Sequence, residues 1–397
     1  MNPELPQLPT EDPIDLLVKA IPKHIWVTII AVTVMLAASW LFFRPSRPAP
    51  IAGADAAAAG ETLEGRVVAV LAEEQAIVAG QPQPVQRVAV EITRGSERGR
   101  RVEVLHGQTL VLTEGTRVQV GDRVLLERSV GPDGELFYIG DFVRWPALLG
   151  LALLFGIATV VVGRWVGLHA LISMGISVLA VAGFIIPGIA AGHDPLAVCL
   201  VGSLLLMAAS LYLVYGWTWK THAALAGLTI SLAATALLAA LFGRLAHLTG
   251  LGTEEAGFLV HLGGMALNLR GVLLGGIVLG AVGALDDVAV GQASATFELK
   301  RANPQLRWPQ LFRHSMAIGR DHIASMTNTL LLAYVGAALP LFLLMAGLNI
   351  PLGQTLNREF LAEEIVRTLT GSLGLILAVP VTGLLAGLMA ERWTAEA

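Results

Sequence analysis

Residues 271–300 read GVLLGGIVLGAVGALDDVAVGQASATFELK, and beyond a basic connector residues 318–334 read IGRDHIASMTNTLLLAY. Both are apolar segments that carry acids and amides where a lipid-facing helix carries none. An ionisable side chain inside a bilayer costs about 3 kcal/mol or more, so it faces protein or water and marks a working site. Projected at about 100° per residue, Gly276, Gly280, Gly283, Asp287, Gly291, Ser294 and Glu298 fall along one line of the first segment. Glycines without side chains let another helix backbone approach closely. The line Gly276, Gly280, Gly283 and Gly291 is therefore expected to be a packing seam that leads into a carboxylate. Asp286 lies about 100° round the helix from Asp287 and faces a different neighbour or water. In the second segment Asp321, Ser325 and Asn328 share one face. These two helices are expected to hold the functional centre.

The composition around them is that of an integral membrane protein. Hydrophobic residues make up 55% of the 397, and charged residues fall to 14%, far below the roughly 25% of a soluble domain. The net charge of −4 and the lack of a basic tract argue against a nucleic-acid partner. The single cysteine, Cys199, leaves no disulfide framework and no zinc-ligand spacing. His314 and His322 have no partner at metal-ligand spacing. No phosphate-loop glycine motif occurs, so no nucleotide cofactor is expected, nor any other.

Along the chain, residues 1–24 are polar and proline-rich and read as a flexible cytoplasmic N-terminus. Ile25–Phe43 is apolar enough to be a transmembrane anchor, preferred over a signal peptide because acids precede it. Residues 44–61 read as a proline- and alanine-rich linker. From 62 to 144 β-branched and charged residues alternate. Strands are predicted at Leu63–Leu71, Val85–Thr93, Arg100–Leu105, Gln108–Leu112, Arg117–Glu127 and Leu136–Val143, separated by turn signals at Gln81-Pro82, Arg94-Gly95-Ser96 and Gly131-Pro132-Asp133-Gly134. Five or six short strands in that length predict a small extracytoplasmic all-β barrel of oligonucleotide-binding type.

After Trp145-Pro146 the chain is a membrane domain, 145–397, with seven spans predicted. These are Ala147–Val162, Leu168–Ile189, Leu196–Tyr215, His222–Phe242, Gly271–Ala293, Ser325–Leu348 and Gly371–Ala390. With the anchor they make a polytopic α-helical protein of about eight spans. Lys300, Arg301, Arg307, Arg313 and Arg320 put the connector between residues 298 and 321 on the cytoplasmic side. Both termini then lie in the cytoplasm, with the β-domain outside it. Pro340 and Pro380 fall inside predicted spans and are expected to kink them. Residues 253–262 and 357–369 read as amphipathic connectors lying on the bilayer, with an outer gate as the sharper alternative.

The acids have plainer readings beside the functional ones. Asp287 stands about sixteen residues into its span, so it could be an interfacial acid that ends the span. Asp321 could cap the helix that follows, and Arg320 could neutralise Asp286 or Asp287. Asn328, between Thr327 and Thr329, suits an interhelical hydrogen bond. Glu298 suits the surface next to Lys300 and Arg301.

Three stretches resemble the YibE/F family of bacterial multipass membrane proteins. One is Gly283-Ala284-Leu285-Asp286-Asp287-Val288 with Gln292-Ala293-Ser294-Ala295, Glu298-Leu299 and Ala302-Asn303-Pro304. The second is Ile318-Gly319-Arg320-Asp321-His322 with Met326-Thr327-Asn328-Thr329-Leu330 and Ala333-Tyr334-Val335-Gly336. The third is Glu364-Ile365-Val366-Arg367 with Gly371-Ser372-Leu373-Gly374 and Val379-Pro380. The resemblance covers the chain from about Ala147 to its end. It implies a multipass protein of the cytoplasmic membrane and brings no established catalytic or binding residues.

Joined to that resemblance, the residues predict a permease for a small solute or ion. Asp287 and Asp286 are the proton or cation carriers, and Asp321, Asn328, Ser294 and Glu298 are candidates to complete a polar site. A carboxylate at the edge of a low-dielectric region takes up a proton more readily than one in water. The alternative is a non-transporting membrane scaffold whose β-domain recruits an envelope protein partner. An intramembrane aspartyl protease, with two acids sharing a proton, is disfavoured because the Gly-x-Gly-Asp pattern is missing, so no enzyme activity is expected. The lipid bilayer is a certain partner, and assembly into a homo-oligomer is left open.

Overall fold

The computed structural model describes residues 61–78, 81–107, 112, 114–131, 134–262, 267–347 and 350–392. The expected N-terminal segment, anchor and linker (1–24, 25–43 and 44–60) lie outside the described residues. The chain forms two compact units that divide between Val161 and Val162.

The N-terminal unit holds five antiparallel strands: β1 Glu61–Val78, β2 Gln81–Arg94, β3 Arg101–His106, β4 Arg123–Gly131 and β5 Gly134–Phe142, in the order β3-β2-β1-β4-β5. β1 is long and irregular. It pairs with β2 along its length and with β4 over Glu61–Arg66, with register shifts after Glu64, Val67 and Val70. Gly65 sits where both partners close in. A Cβ there would lie 2.5 Å from Val90 Cγ1 and 3.1 Å from Leu126. Alternate residues point to one core of Leu63, Val67, Val88, Val90, Ile92, Val104, Val124, Leu126 and Ile139, the period-2 pattern of a strand buried on one face. Inside it Gln86 bonds Glu73 at 2.9 Å and the Val118 amide at 2.9 Å, pinning the chain before β4.

One predicted strand is corrected. Arg117–Glu127 does not begin a strand at Arg117, since β4 starts at Arg123. Gly121 has φ +103° and Asp122 accepts from the Gln119 amide at 2.7 Å, so the intervening residues form a turn. Its apolar Val120 is 65% exposed, so hydrophobicity alone misread a turn as a strand. Of the predicted strand Gln108–Leu112, only Leu112 is described, and it lies outside any strand.

The remainder is helical. α1 spans Trp145–Ala180, a π-helical turn covers Val181–Ile185, and α2 is Ile186–Ala190. Then follow α3 Pro195–Tyr215, α4 Trp219–Leu245, α5 Glu254–Leu262, α6 Leu269–Ala302, α7 Trp308–Ala337, α8 Leu339–Gly347, α9 Leu352–Thr355 and α10 Glu359–Arg392. Starts follow local chemistry. Asp194, Thr218 and Asn268 cap α3, α4 and α6 by accepting the amides of Ala197, Thr221 and Gly271, satisfying donors that a first turn leaves free.

Among the described residues five helical stretches are long and apolar enough to cross a membrane, and six if the α7–α8 pair, bent by 61°, counts as one. Seven were expected over the same residues. The difference lies at Trp145–Ala190, where two predicted spans are one helical stretch broken at Arg164 (φ 52°, ψ −131°). Helices also outrun their apolar stretches. The predicted basic connector is mostly helix, because α6 continues to Ala302 and α7 begins at Trp308. The expected connector helix at 357–369 is the first part of α10. Polarity marks where lipid contact ends, whereas backbone hydrogen bonding ends only at a cap or breaker. Pro340 lies in the first turn of α8, just past the bend. Pro380 lies inside α10, which runs on to Arg392.

In the second unit α6 and α10 pack against each other and against α4 and α7, with α3 on the far side of α6. Their common core joins Leu228 and Leu232 of α4, Val278, Val282 and Leu285 of α6, Leu311 of α7, and Leu375 and Val379 of α10.

Candidate functional site

α6 buries a stripe of Ile277, Val278, Ala281, Val282, Leu285, Val288, Ala289, Gln292, Ala293 and Thr296. Gly276, Gly280, Gly283, Asp287 and Gly291 lie on the opposite, exposed face. A Cβ on Gly276 or Gly283 would meet nothing within 4 Å. Among the described residues Gly276 and Gly283 are therefore open, while Gly280 and Gly291 meet only the side-chain ends of Tyr334 and His322 on α7, so no helix backbone closes on the line. The larger aliphatic side chains bury more area, so they turn inward and the glycines are left outside. Close backbone approach is made elsewhere, at Gly275 against Cys199 and the Pro195 carbonyl, at Gly227 against Thr382, and at Gly374 against Thr235.

The two aspartates occupy the middle of the 34-residue α6, which continues nine residues past Ala293. They point apart. Asp287 is exposed on the glycine line. Asp286 is turned inward and half-buried, and among the described residues its Oδ1 is fully shielded without a hydrogen-bond partner. Both carboxylates lie within electrostatic range of the Tyr215 hydroxyl at the end of α3. The sequence drew attention to Asp287. The structure makes Asp286 the unusual group.

α7 runs alongside α6. Tyr334 Oη would lie 3.5 Å from a Cβ on Gly280, and His322 Cε1 would lie 4.0 Å from one on Gly291. Ile323, Met326 and Leu330 are the α7 side chains packed on the core. Asp321, Ser325 and Asn328 share a face, as their spacing predicts, but that face is exposed, opposite the side chains that α7 packs on the core. Asp321 is not an N-cap, since α7 starts thirteen residues earlier at Trp308. Ser294 is half-buried on α6. Glu298 is exposed and pairs with Arg301 at 3.3 Å, as its surface reading expects. The six residues therefore do not close into one pocket within the described chain. Periodicity tells which residues share a face, not which neighbour that face meets.

Other polar groups were missed. Gln292 is 5% exposed and its Nε2 has no partner among the described residues. It fills a notch between α7 and α10, where a Cβ on Gly319 would stand 2.8 Å from its Oε1 and one on Gly383 2.8 Å from its Nε2. A lone amide in an apolar run was the available signal. At the other end of the bundle Glu363, 3% exposed, accepts the Gly252 amide at 3.2 Å, and Glu359 accepts the amides of Thr249 and Gly250. Glu364 pairs with Arg367 at 3.5 Å. No group of three or more His, Cys, Asp or Glu suited to a metal occurs among the described residues.

Long apolar helices packed round a half-buried carboxylate, preceded by a small antiparallel sheet, define a membrane-embedded helical protein with an N-terminal β unit. Residues 151–392 match the family model described as YibE/F-like protein, and the chain belongs to that family. No curated protein and no solved structure matches it.

Proposed function

We propose that the protein is a permease that moves a small solute or ion across a bacterial cytoplasmic membrane, with Asp286 as the proton- or cation-exchanging group. The observation that carries this reading is the Asp286 Oδ1, shielded inside the bundle at the middle of α6 and without a protein partner among the described residues. A carboxylate oxygen so placed costs free energy unless it takes a proton or a cation. Asp287, one residue on and part of the glycine line, extends the acidic pair to the outer face of the helix.

The topology that goes with this reading has eight spans. The break at Arg164 separates two of them, the α7–α8 pair makes one, and Ile25–Phe43 is the first. The basic residues at the end of α6 and along the first half of α7 support a cytoplasmic location for that end. The sheet order β3-β2-β1-β4-β5, with a long β1 pairing on both sides and β3 packed against β5, supports an oligonucleotide-binding-type barrel, held outside the cytoplasm. Asp321 and Asn328, exposed on α7, would serve a site only if another surface met them.

The test is ion flux in proteoliposomes loaded with a pH-sensitive dye, under imposed proton, sodium and potassium gradients. The parent is expected to dissipate at least one gradient, and Asp286→Asn to slow that flux by about tenfold or more, the scale of losing one proton-transferring group. Parent flux no faster than empty liposomes, or equal flux in Asp286→Asn, overturns the assignment.

A further inference from the structure

Where α3 ends, α4 begins and α6 makes its last turns, the bundle leaves a cavity of about 220 Å³. Tyr215, Thr218, Trp219, Lys220, Glu298 and Arg301 line most of it. All three helices are long and apolar enough to cross the membrane, so a cavity at their shared end lies at the membrane surface. Two cations open onto it. The Lys220 ammonium lies 5.2 Å over the ring of Tyr215, and no carboxylate pairs with it among the described residues. Arg301 has Glu298 at 3.3 Å, but both side chains are about two-thirds exposed, and an ion pair so exposed is weak and readily exchanged. Neighbouring Lys300 is occupied, since its ammonium donates to the carbonyls of Pro304 and Leu306.

The walls are built rather than floppy. Thr218 caps α4 and also bonds the Thr221 hydroxyl at 2.8 Å. Behind the cavity Tyr212 stacks on Trp217 with centroids 4.5 Å apart and shares a 2.8 Å hydrogen bond with His222 Nδ1. His222 in turn meets Trp217 and Trp219 edge-on. This aromatic block fixes the α3–α4 turn, and with it the position of Lys220.

We propose that this cavity binds a phosphate group, held between Lys220 and Arg301 with Trp219 at its rim. The volume is below the roughly 300 Å³ of a drug-sized pocket, which suits a phosphoryl group with a small substituent and not a nucleotide. Basic pockets between membrane helices hold anionic headgroups, and Trp and Tyr settle at the same depth. The same chemistry is offered by the phosphodiester of an anionic phospholipid and by free phosphate. Asp286 does not line the cavity, although Tyr215, which does, lies within electrostatic range of it, and the proposal does not require that residue to carry an ion.

The full-length protein is purified in a zwitterionic detergent and its unfolding temperature followed with added phosphatidylglycerol, phosphatidylcholine or inorganic phosphate. Parent, Lys220→Gln/Arg301→Gln and the charge-keeping Lys220→Arg/Arg301→Lys are compared. A rise with phosphatidylglycerol but not phosphatidylcholine, needing about tenfold more lipid in the Gln variant and restored in the charge-keeping one, supports the site with lipid as its source. A rise with inorganic phosphate at constant ionic strength, weakened in the same way, supports it with free phosphate as the source. Responses equal in parent and Gln variant, or no response to either phosphate source in the parent, overturn it. The charge-keeping variant separates lost binding from a damaged fold.

Discussion

Thr382 of α10 stands directly over Gly227 of α4, so close that a Cβ on Gly227 would lie 2.9 Å from the Thr382 Cα. At the same interface Gly374 of α10 faces Thr235 of α4, where an added Cβ would meet the threonine Cβ at 3.2 Å. Each helix thus offers one glycine to one threonine of the other. This reciprocal pairing brings the two backbones together in the middle of the bundle.

Gly227→Ala is therefore expected to push α4 and α10 apart and to cost about 1–3 kcal/mol. The measurement is thermal unfolding in detergent. Adding Thr382→Ala to it should recover part of the loss, since the threonine hydroxyl is the nearest obstacle. An unchanged midpoint in the single variant would contradict the close approach.

Two glycines on α6 should respond oppositely to the same change. Gly275→Ala drives a methyl to 2.7 Å from Cys199 Sγ and 3.0 Å from the Pro195 carbonyl, and should lower the unfolding midpoint. Gly283→Ala meets nothing within 4 Å and should leave it unchanged or raise it slightly, because alanine favours a helix by about 1 kcal/mol over glycine. If Gly283→Ala proves the more damaging, a surface not among the described residues must close on that line.

The glutamates that begin α10 hold the turn after α4. Glu363→Ala removes the acceptor of the half-buried Gly252 amide, at a cost of about 1 kcal/mol. Glu359→Ala frees the Thr249 and Gly250 amides together. Hydrogen exchange at residues 249–252 is the readout, and it should speed up in both variants while exchange in the middle of α6 stays slow. Unaltered exchange at Gly252 in Glu363→Ala would show that this bond holds nothing.

Acid should loosen the β unit. Hydrogen bonds from Arg100 and Arg128 hold the Glu135 carboxyl below the ordinary glutamate value of 4.5. Ser96 and Arg128 do the same for Glu61, and Arg144 for Asp141. A carboxyl lowered by folding contributes stability above its unfolded value and loses it as pH falls through the folded one. Strand amides, corrected for the intrinsic rate, should lose protection once pH drops below about 4.5. Glu135→Gln should flatten that profile. A parent profile flat to about pH 3 would remove these pairs from the stability of the sheet.

Most of the helix positions were legible, because length and hydropathy decide them and α3, α4 and α6 contain the segments expected. Their ends were less so. Capping was the plainer alternative for Asp321 because a polar residue precedes an apolar run, yet the helix begins with Trp308 and Pro309, an earlier start that hydropathy hides. Gly65 and the bulges of β1 were likewise invisible, since a strand that pairs on both sides is a long-range event.

By itself the sequence determined that this is a membrane chain with a β-rich segment before its helices, that it carries acids within an apolar helix, and which family it resembles. Those features follow from composition, period and local motif, each expressed within one element. Only the tertiary structure decided that Asp286 rather than Asp287 turns inward, that the glycine line stays outside, and that Asp321 and Asn328 face away. A helix's period fixes which residues share a side, while competition for buried apolar area among neighbouring helices decides which side becomes the interior.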